Sequence, residues 1–360
     1  MRPLSHTDLD HVLAHTRPLW EAMRGKSLFV TGGTGFFGCW LVESFLHVNE
    51  HLELDARITV LSRDPEAFLT KMPHLVGRPG LAFVRGDVRD FSFPSGRFDA
   101  VIHAATESSA KLNTEEPLHM IDTIVAGTRR TLDFSVKVGA QRFLLTSSGA
   151  VYGRQPQEIT HVSEEYSGGP DPLDRRSAYG EGKRIAEHLC ALYAGQHGFE
   201  ATIARCFAFV GPHLPLDGSY AIGNFIRDAL LGQPISVQGD GTPYRSYLYA
   251  ADLAVWLWTI LFKGSSARAY NVGSGDAVSI KELAQEVALV LGGDVRIAQE
   301  PQGGTVPSRY VPDNRRAVHE LDLIVAVNRQ SAIFRTALWH GYVPRSQEPD
   351  FALGFDDLSE

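Results

Sequence analysis

The sequence predicts an α/β chain built on a doubly wound parallel sheet, a Rossmann arrangement, with a smaller C-terminal α/β lobe that holds a substrate. Three observations carry this. Strand-like apolar runs alternate with helical stretches from residue 28 to residue 204, glycines fall at 32, 35 and 38 between the first strand and the first long helix, and the texture turns Pro- and Gly-rich beyond Gly211. A length of 360 residues suits one large unit or two cooperating lobes.

Taken in order, residues 1–25 form a helical extension. Leu9, Val12, Leu13, Leu19, Trp20 and Met23 recur at helical spacing after Thr7, read as the N-cap, and Pro18 breaks or kinks the helix. Such a helix packs on the core or on a partner subunit. His11 and His15 stand four apart with no carboxylate or Cys cluster joining them, so they read as solvated helix histidines and no metal site is expected. Strands are predicted over 28–31, 58–61, 82–84, 101–103, 143–147 and 201–204, with helices from about residue 37, over 115–138 and over 179–197. That rhythm is βαβ and gives helices on both faces of a parallel sheet. The dinucleotide-type domain spans 26–210, with a contribution from about 243–273, and the second lobe spans 211–360, with helices near 223–231, 252–262 and 279–291. Residues 299–312 read as an ordered loop.

Composition narrows the function classes. With 44% hydrophobic and 21% charged residues the chain has ordinary globular character, and it lacks the run of about 18 apolar residues needed to span a bilayer. A net charge of -8 disfavours nucleic acid and anionic lipid as partners, so an anionic substrate needs locally placed arginines. Cys39, Cys190 and Cys206 have no pairing or ligand spacing, and residues 1–25 lack the features of a signal peptide; a cytoplasmic location is expected.

Gly32, Gly35 and Gly38 between a β-branched strand and an apolar helix place backbone amides and a helix N-terminus where a pyrophosphate can sit. The bland alternative is a tight strand-to-helix turn. The second strand ends at Ser62-Arg63, where folds specific for NAD usually carry an acidic residue for the ribose hydroxyls. A guanidinium beside a hydroxyl suits a 2′-phosphate, so NADP(H) is expected, with NAD(H) the alternative and a turn-capping surface arginine the structural reading. Asp87, in Gly86-Asp87-Val88, is placed to accept from an adenine amino group, and Ala104-Ala105 after His103 allow close approach.

Tyr179 and Lys183 share a helix face, and a nearby ammonium stabilises phenolate, which brings a phenol into range as an acid or base. Gly180 and Gly182, each costing a helix about 1 kcal/mol relative to Ala, suggest close approach there, as of a nicotinamide ribose. A Tyr and Lys at this spacing also occur by chance as a solvated pair. Ser148, in the hydroxyl-rich run Thr146-Ser147-Ser148 after a strand, can bond the same substrate oxygen as Tyr179.

With Gly86-Asp87-Val88-Arg89-Asp90, His103-Ala104-Ala105-Thr106-Glu107-Ser108, Arg205 to Pro212 and Gln238 to Tyr247 in the same order, the chain resembles the extended short-chain dehydrogenase/reductases over 26–323, specifically the nucleotide-sugar epimerases, dehydratases and ketoreductases. The resemblance implies a Ser148, Tyr179, Lys183 triad at the nicotinamide. It implies cofactor contacts from Gly32, Thr34, Gly35, Phe36, Phe37, Gly38, Ser62, Arg63, Asp87, Val88, Ala104, Ala105 and Thr106. For a nucleoside-diphosphate-sugar it implies Glu107, Ser108, Ser148, Gly149, Ala208, Asn224, Arg245 and Arg309, the two arginines as diphosphate clamps, and it implies a homodimer joined through a four-helix interface.

Departures from the family pattern sharpen the chemistry. Dehydratases carry Asp-Glu, and decarboxylases a Glu, where this chain has Gly149 and Ala150, neither of which transfers a proton. Ala208 replaces a substrate-binding Asn, and Ile124 stands where an Asn is common. The expected function is NADPH-dependent reduction of a 4-keto nucleotide sugar with Tyr179 as proton donor. The alternatives are a C4-epimerase working through transient oxidation, and a non-catalytic NADP-binding protein.

Overall fold

In the computed structural model, which describes residues 1–106, 110–218, 220–301 and 306–344, helix α1 (His6–Thr16) opens the chain. Its cap is Ser5, not Thr7: Ser5 has extended backbone and its hydroxyl accepts from the Asp8 amide, while Thr7 is already inside the first turn. Pro18 changes the helix type, because residues Arg17–Met23 continue as a 3-10 helix. His11 is buried with its Nε2 2.8 Å from Asp252 Oδ1, which corrects its reading as a solvated residue. The partner lies too far along the chain for helical spacing to reveal it.

Strand β1 (Ser27–Thr31), helix α2 (Phe36–His51), strand β2 (Arg57–Ser62), helix α3 (Pro65–Lys71) and strands β3 (Leu81–Arg85) and β4 (Ala100–His103) make the first half. Helices α4 (Ala110–Glu115) and α5 (Pro117–Val138), strand β5 (Arg142–Ser148), helix α6 (Ala178–His197) and strand β6 (Glu200–Cys206) make the second. The short strand β7 (Phe209–Val210), helix α7 (Ala221–Leu230) and strands β8 (Ile235–Val237), β9 (Tyr244–Arg245) and β10 (Leu248–Tyr249) lead out to the smaller lobe and back. Helix α8 (Ala250–Lys263) and strand β11 (Arg268–Val272) follow, so this late segment returns to the large sheet. Strand β12 (Val278–Ser279), helix α9 (Ile280–Leu291), strands β13 (Val295–Ile297) and β14 (Arg309–Tyr310), and helices α10 (Arg315–Leu321) and α11 (Arg329–Trp339) complete the described chain.

Seven strands pair in parallel in the order β3-β2-β1-β4-β5-β6-β11, the doubly wound Rossmann arrangement. Both faces are covered. On one face α1, α2 and α8 bury Trp20, Trp40, Trp256 and Trp258; on the other, α5 and α6 cover a cluster of Phe29, Phe91, Phe98, Phe134 and Phe143. Each such side chain contributes roughly 1.5–3 kcal/mol by leaving water, and this fixes the strand ends from which the site is built. In the smaller lobe β9 pairs with β12 and β14, and β8 with β13.

Candidate active site

The chain winds away from β1 and β4 in opposite directions, and a crevice opens between the loops that follow them. Gly32 has φ +74°, and a Cβ there would lie 2.4 Å from the Ala104 carbonyl, so no side chain fits. A Cβ on Gly38 would stand 2.3 Å from Gly32 O, because α2 is seated directly on the turn. Gly35, the N-cap of α2, would meet only Gly32 O, at 3.5 Å, and leaves the helix N-terminus open.

Two cavities meet at this turn. The smaller, about 210 Å³, is lined by Gly32, Thr34, Gly35, Ser62, Arg63, Asp87, Val88, Ala104, Ala105 and Thr106. The larger, about 640 Å³, shares Gly32, Gly35, Ala104 and Thr106 and adds Phe36, Phe37, Ser148, Tyr179 and Lys183. Gly38 lines neither; its place is behind the turn. Asp87 is already engaged by Arg89, whose Nε donates to Oδ1 at 2.8 Å and whose Nη2 donates to Oδ2 at 3.1 Å, holding its carboxyl below the usual range. Ser62 Oγ accepts from the Asp64 amide at 3.2 Å. The arrangement fits an extended dinucleotide: a polar recess carrying Arg63, a side-chain-free turn at a helix N-terminus, then an inner chamber.

At the inner end, Ser148 terminates β5 and Tyr179 and Lys183 project from the first turns of α6. Asn113 of α4 caps that helix, accepting from the Tyr179 amide at 3.0 Å while its Nδ2 donates to Arg176 O at 2.7 Å. Tyr179 and Ser148 both line the cavity, and Ser148 Oγ accepts from the Ala150 amide at 3.1 Å. Lys183 Nζ donates to Thr106 Oγ1 at 2.7 Å and to Thr146 O at 2.8 Å, and lies 5.9 Å from the centre of the Tyr179 ring.

Burial sets the protonation states. It pushes the Tyr179 phenol up, with the nearby Ser148 hydroxyl pulling the other way, and it pushes Lys183 down to about 8. The Lys183 ammonium is directed at Thr106 and Thr146, and its contact with Tyr179 is to the ring, at 5.9 Å. His103, between Thr31 Oγ1 at 2.7 Å and Thr128 Oγ1 at 3.0 Å, is pushed down to about 3 by burial and the Lys183 cation, so it is a neutral structural bridge.

The glycines of α6 answer to the protein itself. A Cβ on Gly180 would lie 2.7 Å from Pro170 Cγ and 2.8 Å from Ala150 O, and one on Gly182 would lie 3.1 Å from Ile124 Cδ1. Close approach exists there, but to the loop after β5 and to α5 rather than to a ribose. Ile124 is fully buried in this contact.

Among residues expected to touch substrate, Ala208 and Arg245 line the larger cavity, and Arg245 Nη1 donates to Tyr244 O at 2.7 Å. Asn224 lines a neighbouring recess of about 790 Å³ that shares Ala221 and Ile280 with the main cavity, and its Oδ1 accepts from Arg227 Nη1 at 3.1 Å. Arg309 is not among the lining residues; its guanidinium lies 4.2 Å over the Tyr244 ring. Glu107 and Ser108 lie outside the described residues.

Tyr310, next to Arg309 on β14, lines the cavity in its place. Neighbouring strand residues face opposite ways, so the phenol reaches the cavity and the arginine expected there does not. Tyr310 lines the cavity with Ser148, and burial pushes its phenol up. A Cβ on Gly149 would stand 2.8 Å from Tyr310 Oη and from Phe207 Cε1, so the side-chain-free position is filled by those two rings. Among the described residues lining the cavity there is no carboxylate. Sequence reading missed Tyr310 because only its register beside Arg245 brings it here.

Residues 28–273 match the model of the NAD dependent epimerase/dehydratase family. The UDP-glucuronic acid decarboxylase 6 of Arabidopsis thaliana is 34% identical over 293 residues, covering 81% of this chain and 81% of that protein. UDP-glucuronic acid decarboxylase 3 of the same plant is 32% identical, covering 81% and 82%. Among solved structures, the dTDP-glucose 4,6-dehydratase DesIV of Streptomyces venezuelae, with NAD bound, superposes with a TM-score of 0.72 at 26% identity over 87% of this chain and 96% of that one.

Proposed function

Because the chain belongs to the NAD dependent epimerase/dehydratase family, and is therefore an extended short-chain dehydrogenase/reductase of the nucleotide-sugar-modifying kind, we propose that it reduces the 4-keto group of a nucleoside-diphosphate deoxysugar with NADPH. One observation carries the reading: Tyr179, half-buried, and Ser148 line a cavity whose described lining has hydroxyls and cations but no carboxylate. Elimination and uronate chemistry of the sort named for the dehydratase and decarboxylase relatives use a side-chain acid or base, and Gly149 and Ala150 supply none.

A bound nicotinamide dinucleotide would supply the hydride. Ser148 orients the keto oxygen, and Tyr179, held protonated by burial, donates its proton to that oxygen as negative charge develops. The Lys183 ammonium, fixed by Thr106 and Thr146, adds positive charge beside the forming alkoxide and is placed to bind the ribose. Arg245 is the cation on the substrate side of the cavity and suits the diphosphate. Arg63 beside Ser62 supports the 2′-phosphate form, NADP(H) over NAD(H). Leu118, Val136, Ile185 and Leu192, exposed along α5 and α6, suit burial in a homodimer.

The test is absorbance of NADPH during incubation with a nucleotide 4-keto-6-deoxysugar. Consumption in equal amount to product is expected, and Tyr179→Phe should retain NADPH binding while turnover drops about 10²–10⁴-fold. Interconversion of C4 epimers without net NADPH loss would replace the reading by a C4-epimerase acting through the same residues. Unaltered turnover in Tyr179→Phe would overturn both.

A further inference from the structure

On the outer side of α2, away from the cavity, two helices present donors in matched pairs: His6 and Asp10, four apart on α1, face His47 and His51, four apart on α2. One ligand atom from each of Asp10, His47 and His51 lies within 4.8 Å of the other two. His47 Nε2 is 2.8 Å from Asp10 Oδ1, the rings of His47 and His51 are 4.0 Å apart, and the His6 ring centre is 6.1 Å from that of His47.

The hydrogen bonding around His51 already favours a ligand. Its Nδ1 donates to the His47 carbonyl oxygen at 2.8 Å, so the proton sits on Nδ1 and Nε2 keeps its lone pair, the tautomer a metal requires. The site is reachable, because His6, His47 and His51 line a groove of about 1000 Å³. We propose that Asp10, His47 and His51 bind one divalent transition-metal ion of the zinc type, with His6 or water as the fourth ligand.

Two imidazoles and a carboxylate form a donor set suited to Zn²⁺. With metal–donor bonds of about 2.0–2.1 Å, tetrahedral donors stand roughly 3.3 Å apart. Only small opening of the 2.8 Å His47–Asp10 contact is needed, and the Asp10 side chain is 61% exposed and can turn. The ion takes the place of the His47 Nε2 proton that Asp10 accepts, and the imidazole binds it as the neutral tautomer with its proton on Nδ1. The product is a cross-link between the N-terminal extension and the first helix of the sheet domain.

The test uses tag-free full-length protein stripped with chelator, then titrated with Co²⁺ by visible absorption and with Zn²⁺ by calorimetry. One ion per chain, an intense Co²⁺ band of tetrahedral type and a higher Tm with Zn²⁺ are expected. His51→Ala, at an exposed position that unfolding does not threaten, should remove the band and the Tm gain, and Asp10→Asn should weaken binding at least about tenfold. His15→Ala, an exposed imidazole of the same α1, should bind as the wild type does. Absence of saturable Co²⁺ binding, or His51→Ala binding as tightly as wild type, would overturn the proposal.

Discussion

Lys183 should lose its proton near the pH at which the enzyme is assayed, and this can be measured without knowing the substrate. Burial lowers its pKa from 10.5 to about 8. An unfolded chain keeps that proton to about 10.4, so between these limits the unfolded state binds more protons than the folded one. Stability from this group therefore rises with pH across the window, by about 1.4 kcal/mol per pH unit, and is lost again as pH falls toward 8. The whole shift corresponds to about 3 kcal/mol of burial penalty on the ammonium at neutral pH. Urea unfolding of cofactor-free wild type and Lys183→Met at pH 7 and at pH 10 isolates this contribution from other titrating groups. The stability difference between the two proteins should move toward the wild type by about 2–3 kcal/mol between those pH values. Turnover should fall over the same range, because the ammonium beside the alkoxide becomes neutral. A stability difference that stays constant from pH 7 to pH 10 would refute the assignment of a buried, perturbed ammonium.

Arg63→Ala should lower kcat/KM with NADPH about 10–100-fold and leave NADH nearly unaffected, since a hydrogen bond to a charged group is worth about 1.5–3 kcal/mol; parallel kinetics with both cofactors check it. Gly149→Ala should cost about 1–3 kcal/mol in urea unfolding and reduce kcat, because the new methyl meets Phe207 and the Tyr310 hydroxyl at 2.8 Å. Adding Tyr310→Phe to that variant should recover part of the stability, and equal stability in the single and double variants would show that the hydroxyl is not the obstruction.

The sheet was legible because its signal is local. Each strand of the doubly wound core carries a short apolar run between turn residues, and observed strands such as Arg57–Ser62 and Arg142–Ser148 extend the sequence reading by only one residue at either end. The phosphate-type turn was legible for the same reason, since Gly32, Gly35 and Gly38 report a steric requirement made by atoms a few residues away or one strand over. What escaped depends on partners distant in sequence. His11 reads as solvent-facing until Asp252 arrives on α8, and Gly180 and Gly182 read as space for a ligand until Ala150 and Ile124 take it. Ser5 caps α1 where Thr7 was expected, because both residue types cap well and backbone geometry separates them.

Tyr310 shows most clearly why the cavity cannot be read from motifs alone. A chain of polar contacts runs from the end of β5 to the segment beside Tyr310. Ser147 Oγ bonds Glu187, whose carboxylate receives Arg205 Nη2 at 2.7 Å; Arg205 Nη1 donates to Tyr152 Oη at 2.9 Å, and Tyr152 donates to Asn271 Oδ1 at 2.7 Å. Asn271 Nδ2 then donates to Val162 O and Asp313 O, each at 2.9 Å, while Val162 N donates to Val311 O at 3.0 Å, directly beside Tyr310. Glu187 and Arg205 are mostly shielded from water, so removing one partner costs up to about 3–5 kcal/mol and loosens the link between β5 and the segment that carries Tyr310. Tyr310 and Phe207 wall the cavity beside Gly149. The position left without a side chain at 149 is thus filled by one ring from β14 and one from the residue after β6, and the room in the cavity is decided by them as much as by the loop after β5.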